Sequence, residues 1–369
     1  MNPSEPPTHR WEVDGPSPPF PYIPGFSIKI RPCTSTTACE IQTQLDAEKS
    51  LKARYPPGTH KISAIEYCIA RPYCELDTEQ AAETSHQPKG HTLHVDSITT
   101  RPASDIWWNV VQCHLDDDTE SKYTAKIYDP VYASHVTWAH ADANGSFNNE
   151  VEAYTRFKDV GISGEVTPVF SGAWIMDVPV PSKDFGGVNY VTTRPVSLLL
   201  FEAVEAANLA TTYFQYYYTS GYVEPQPQLP EAWRHEVLPK IYEARALLAH
   251  AGVQADTRSD GVLVGTTGME DGRLDVRVFI ADFERAHISD LEERTGERPE
   301  QPMSPIETCW DDVKYDMERL AWDEWRQPED LKNYRQWLVQ RWGESTKYRP
   351  LPQDLRKRIA CGKWEEAST

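Results

Sequence analysis

The sequence predicts an α+β protein of two lobes preceded by an N-terminal extension. Three observations carry this reading. Strand-like segments dominate residues 91–204 and are interrupted by a single amphipathic helix. A proline-rich bridge, Pro225-Gln226-Pro227-Gln228-Leu229-Pro230, follows. The remainder is mainly helical. With 369 residues there is length for two buried cores, and 12 Trp, 18 Tyr and 10 Phe supply large apolar area although hydrophobic residues make up only 39%.

In chain order, residues 1–26 hold eight prolines and read as an extended arm. Residues 27–90 form the extension. Within it 39–55 has helical spacing of Ile41, Leu45 and Leu51, stopped by Pro56-Pro57-Gly58, and 61–70 reads as a strand. The first lobe spans 91–204. Its strands fall at 107–114 and 123–128, separated by a polar turn over 116–121. A helix over 147–157 repeats Phe147, Val151, Tyr154 and Phe157, and strands follow at 166–175 and 196–204. The second lobe spans 205–369. It starts with a helix over 231–249 whose apolar stripe is Val237, Ile241, Ala244 and Leu248. Strands at 262–264 and 276–280 flank Asp271-Gly272, a hairpin signal, and helices are predicted over 308–325 and 328–342.

Charge and cysteine content narrow the function classes. With 37 basic against 56 acidic residues the formal charge is −19, which disfavours broad phosphate-backbone binding, since that affinity comes from Lys and Arg. Seven cysteines include no Cys-x-x-Cys pair, and the start has no basic segment followed by an apolar one. A cytoplasmic protein with reduced thiols and no membrane association is expected, and the Asn144-Gly145-Ser146 sequon is then a chance match. There is no Gly-x-Ser-x-Gly elbow, His-Glu-x-x-His or Walker lysine loop. His135 and His140 are five apart, a poor spacing for one metal-binding helix face.

Four fragments stand in a suggestive order: Ala125-Lys126-Ile127-Tyr128, Asn149-Glu150-Val151-Glu152, Asp256 followed by Gly261, and Ile280-Ala281-Asp282-Phe283-Glu284. They supply a lysine for phosphate, a helix glutamate to hold it, and two aspartates for base and metal work. In this order the chain resembles a divergent fungal protein-kinase-like family over roughly residues 91–345. The resemblance implies a two-lobed protein-kinase-like fold. Lys126 would contact nucleotide phosphate, and Glu150 would pin Lys126, with Glu152 as the competing carboxylate. The run Ser197 to Val204, with Glu202, would be the adenine hinge, Asp256 the catalytic base and Asp282 the metal ligand. Phe283 would pack on the helix carrying Glu150.

The departures from the family pattern are specific. Gln254 and Ala255 replace the residues usual before the base, and Gly261 replaces a metal-binding asparagine; Asp260, one residue earlier, reads as a solvated turn residue or as a substitute ligand. No glycine occurs between Gly90 and Gly145, so the phosphate-cradling loop is absent, and no Ala-Pro-Glu closes the activation segment. Three readings follow from the resemblance. The first is an ATP- and Mg²⁺-dependent phosphotransferase acting on a small molecule. The second is a pseudokinase that binds a nucleotide or a protein partner without turnover. The third is a kinase-like scaffold turned to another group transfer, such as a fungal arginine-containing cyclodipeptide synthase using aminoacyl-tRNA, which alone would require tRNA as a partner.

Overall fold

The computed structural model describes residues 20–33, 90–100, 108–132, 136–183, 189–209, 214–219, 222–227, 231–255, 261–270, 273–289, 299–310 and 328–362. The chain divides into two units: Met1–Val151 with Phe170–Ala203, and Glu152–Val169 with Val204–Thr369.

In the first unit six strands close into an antiparallel barrel: β1 (Ser27–Pro32), β2 (His91–Thr100), β3 (Trp108–Leu115), β4 (Asp118–Tyr128), β5 (Phe170–Lys183) and β6 (Asn189–Glu202). The strand order is β1-β2-β3-β4-β6-β5. Alternation builds the interior. Val111 and Cys113 of β3, Ala125 and Ile127 of β4, and Val196, Leu198 and Leu200 of β6 share one buried core. The mixed helix and strand content agrees with the α+β expectation, while the closure of the sheet is a feature the sequence did not announce.

Two boundaries are corrected here. Residues 27–32, read as part of an extension, are a barrel strand: β1 pairs with β2 on one side and β5 on the other, and Ile30 is buried. The predicted polar turn over 116–121 is only two residues long, because Asp116 adopts a left-handed conformation (φ 51°) and β4 resumes at Asp118. The helix predicted over 39–55 and the strand over 61–70 lie outside the described residues.

Helix α1 (Val136–Asp159) is longer than its apolar repeat suggested. Its buried face runs through Phe147, Glu150, Tyr154 and Phe157, so an acid occupies a position in the apolar stripe. Phe147 meets Tyr128 of β4 edge to face, with ring centroids 5.4 Å apart.

The second unit is built on α2 (Glu231–His250), which buries the predicted stripe Val237, Ile241, Ala244 and Leu248. Its strands are β7 (Ala207–Asn208), β8 (Phe214–Thr219), β9 (Tyr222–Pro227), β10 (Val253–Gln254), β11 (Val262–Glu270), β12 (Arg273–Ile280) and β13 (His287–Ile288). They pair as β12-β11-β7, β8-β9 and β10-β13. The β11–β12 ladder ends at Glu270↔Arg273, leaving Asp271-Gly272 as the connection, as the hairpin signal predicted.

The supposed proline bridge is corrected in part: Pro225 and Pro227 belong to β9, which among the described residues pairs only with β8. A strand paired on one side tolerates proline because the missing N–H can face outward. Among the described residues the unit also holds helices α3 (Pro305–Cys309), α4 (Pro328–Trp342) and α5 (Gln353–Ala360). Ser304 caps α3 by accepting from the N–H of Ile306 at 3.2 Å, with Pro305 as its first residue. Among the described residues no helix is long and apolar enough to cross a membrane.

Candidate functional site

Lys126 lies on the face of β4 opposite the barrel interior, because its neighbours Ala125 and Ile127 point inward. Cross-strand partners Leu199 and Val110 flank it. Its ammonium forms an ion pair with Oε1 of Glu150 on α1. Both side chains are buried, 6% and 0% exposed, so each charge depends on its protein partners in place of water. The Trp108 ring receives the ammonium at 4.4 Å from its centroid and Tyr128 at 5.6 Å, adding cation–π attraction in a desolvated setting. Glu152, the competing carboxylate, is exposed and pairs with Arg156 one turn along the same helix, 2.8 Å away.

A second buried charge cluster occupies the same unit. Asp129, directly after β4, receives both terminal nitrogens of Arg194, at 2.6 and 2.5 Å, and the phenol of Tyr22 at 2.5 Å. Phe20, Tyr22, Phe26 and Tyr132 pack edge to face around it. Burial first, then the neighbouring Asp129 charge, pushes the Tyr22 phenol well above its usual value; Arg194 opposes them. This cluster, like Trp108 over Lys126, was not foreseen from the sequence. Tyr22 and Asp129 are 107 positions apart, and no local pattern marks either one.

In the second unit, Asp282 follows β12 and is half-buried, its Oδ1 accepting from the N–H of Glu284 at 3.4 Å. Gly261 stands against it: the N–H of Ala281 donates to the Gly261 carbonyl at 2.9 Å, and a Cβ on Gly261 would stand 3.0 Å from that of Asp282. Phe283 is fully buried against Tyr154 and Phe157 of α1, with centroids 5.2 and 4.8 Å apart, and the Tyr154 hydroxyl donates to the Ala281 carbonyl. The expected packing of Phe283 on that helix is therefore observed.

The remaining sequence-predicted residues fall differently. Glu202 is exposed at the end of β6, and it lies three positions beyond Leu199, the partner of Lys126, so strand alternation turns it to the opposite face. Asp256 and Asp260 lie outside the described residues. Among the described residues no group of three or more His, Cys, Asp or Glu side chains is arranged to hold a metal ion.

No protein-family model matches the chain. No curated protein sequence matches it either. Among solved structures it is similar to the ROP18 kinase domain in complex with AMP-PNP and sucrose, at 16% identity and a TM-score of 0.36, over 76% of this chain and 83% of that one.

Proposed function

We propose that the chain is a two-lobed, kinase-like transferase with a degenerate active site, which takes ATP with Mg²⁺ and moves a phosphoryl group to a small molecule. The observation that carries this reading is the buried Lys126–Glu150 pair. Burying two opposite charges costs several kcal/mol per ion before their attraction offsets it, and apolar residues of similar volume would pack there at less cost. A lysine held at a fixed point beside a helix carboxylate is the arrangement that neutralises phosphate. Lys126 is then the phosphate ligand and Glu150 its positioning residue. Asp282 is the metal ligand and Asp256 the base that accepts the proton of the acceptor hydroxyl. The β6 end near Glu202 meets the adenine through its backbone. Gly261 against Asp282 supports this alignment, since the resemblance expects the second metal ligand at position 261.

The same contact favours a second reading, a pseudokinase. Glycine offers no side-chain oxygen, and the space a side chain would need is taken by Asp282. The ligand set for Mg²⁺ is then one donor short, and the protein would bind nucleotide and act through a partner without turnover.

A thermal-shift titration with Mg·ATP tests both readings. A rise in Tm that is lost in Asp282→Ala and Lys126→Ala supports nucleotide binding, and absence of any shift in the unaltered chain overturns both. Mass spectrometry of small molecules from cells expressing the chain or Asp256→Ala then separates them. A phosphorylated product that depends on Asp256 supports the transferase; a Tm shift without product or ADP supports the pseudokinase.

A further inference from the structure

We infer that the second unit carries a binding site for a small hydroxylated phosphomonoester, in the cleft where Lys240 of α2, Arg277 of β12 and Lys347 converge. The cleft encloses about 340 Å³ and is lined by these three cations and by Glu165 and Glu243, over a floor that includes Val166 and Leu247. Its size lies within the range of small-molecule pockets. On a chain of net charge −19, three cations around one cavity are a local reversal of sign.

The engagement of each charge points to the ligand. Lys347 pairs with Glu165 at 4.0 Å and lies 5.8 Å from the Tyr348 ring centroid; both partners of the ion pair are about half exposed, a weak contact that an anion can replace. Lys240 is half-buried on α2, and Arg277 alternates outward on β12 between buried Val276 and Val278. A planar guanidinium and an ammonium lining one cleft suit a tetrahedral dianion, which can take two parallel N–H donors from the first and a point charge from the second. Glu243 is held by the Trp342 indole N–H at 3.0 Å, which fixes one carboxylate oxygen and leaves acceptor capacity on the other. A ligand with hydroxyl donors beside its phosphate would use it. Among the described residues the buried hydroxyl of Tyr348, next in the chain to Lys347, has no hydrogen-bond partner. This site is independent of Lys126 and of the proposed transfer reaction.

Titration calorimetry of the full chain with glycerol 2-phosphate, at constant ionic strength, tests the inference. Saturable binding is expected, tighter than for inorganic phosphate. Arg277→Gln and Lys240→Gln should each weaken it about tenfold, and the double variant should abolish it, while Lys332→Gln, at an exposed position of α4, leaves it unchanged. Since Arg277 is exposed and Lys240 only half-buried, neither change threatens folding. No binding to the unaltered chain overturns the inference. So does equal binding by the double variant, which would put the anion elsewhere, or equal affinity for inorganic phosphate, which would remove the role of Glu243.

Discussion

Lys126 and Glu150 are buried as an ion pair, so changing one partner and changing both must have different consequences. Glu150→Ala is expected to lower stability by about 3–5 kcal/mol in urea unfolding, whereas the paired change Lys126→Met with Glu150→Leu should fall within about 1–2 kcal/mol of the unaltered chain. A loss in the pair as large as in the single variant would mean that the charges are not what matters there. Tyr22 gives a pH-dependent test. Its folded-state value is raised, so the folded chain keeps a proton that the unfolded chain sheds above about pH 10. The stability from this phenol is complete below that pH and is lost as pH climbs towards the folded value. Tyr22→Phe should be less stable at neutral pH by about 1–3 kcal/mol and should show a flatter alkaline limb, read from Tm against pH. Much of this residue-level chemistry was legible where a motif is local: Lys126 and Glu150 were named from fragments of a few residues. The Asp129–Arg194–Tyr22 cluster was not, because it joins three segments far apart in sequence, and a lone Asp, Arg or Tyr carries no signal until the sheet closes.

Helices α2 and α4 were read to within a residue or two at each end because their apolar stripes are uninterrupted and proline or glycine marks their ends. Helix α1 was read short on its N-terminal side, since Asn144-Gly145-Ser146 are poor helix formers and the reading began at Phe147, whereas the helix starts at Val136. Strand β9 was hidden by its own prolines, which read as linker unless the strand is known to be paired on one side only. Among the strands, β11 depends on a glycine for its approach to the segment before β7. A Cβ on Gly265 would lie 2.4 Å from the carbonyl oxygen of Glu205, a backbone atom that cannot turn aside. Gly265→Ala is expected to lower stability by about 1–3 kcal/mol and to weaken amide-exchange protection along β11. Unchanged protection would remove that contact as the reason for the glycine.

The boundary inferred from the sequence, at 204/205, lies within one residue of the division at Ala203/Val204, but the sequence reading left Glu152–Val169 in the first lobe, and that segment belongs with the second unit. That segment supplies the Val166 carbonyl to the N–H of Ile280 at 2.8 Å, as well as the Tyr154 and Phe157 rings around Phe283. A fragment of residues 205–369 should therefore lack a cooperative thermal transition, with Phe283 left without its buried surroundings. A sharp melt of that fragment would show that the segment is dispensable. The sequence pattern hid this arrangement because a helix and the loop after it give no sign of which core will take them. A further consequence comes from β1, the stave that completes the barrel. Arg31 pairs with Ile175, but β5 joins the ring only through β6, which ends at Glu202, so a ribosome must add roughly 170 residues, about 9–34 s of elongation, before the ring can shut. Throughout that interval the nascent sheet has an unpaired margin, and the pace of translation between β1 and β6 governs how long it stays open to a wrong neighbour.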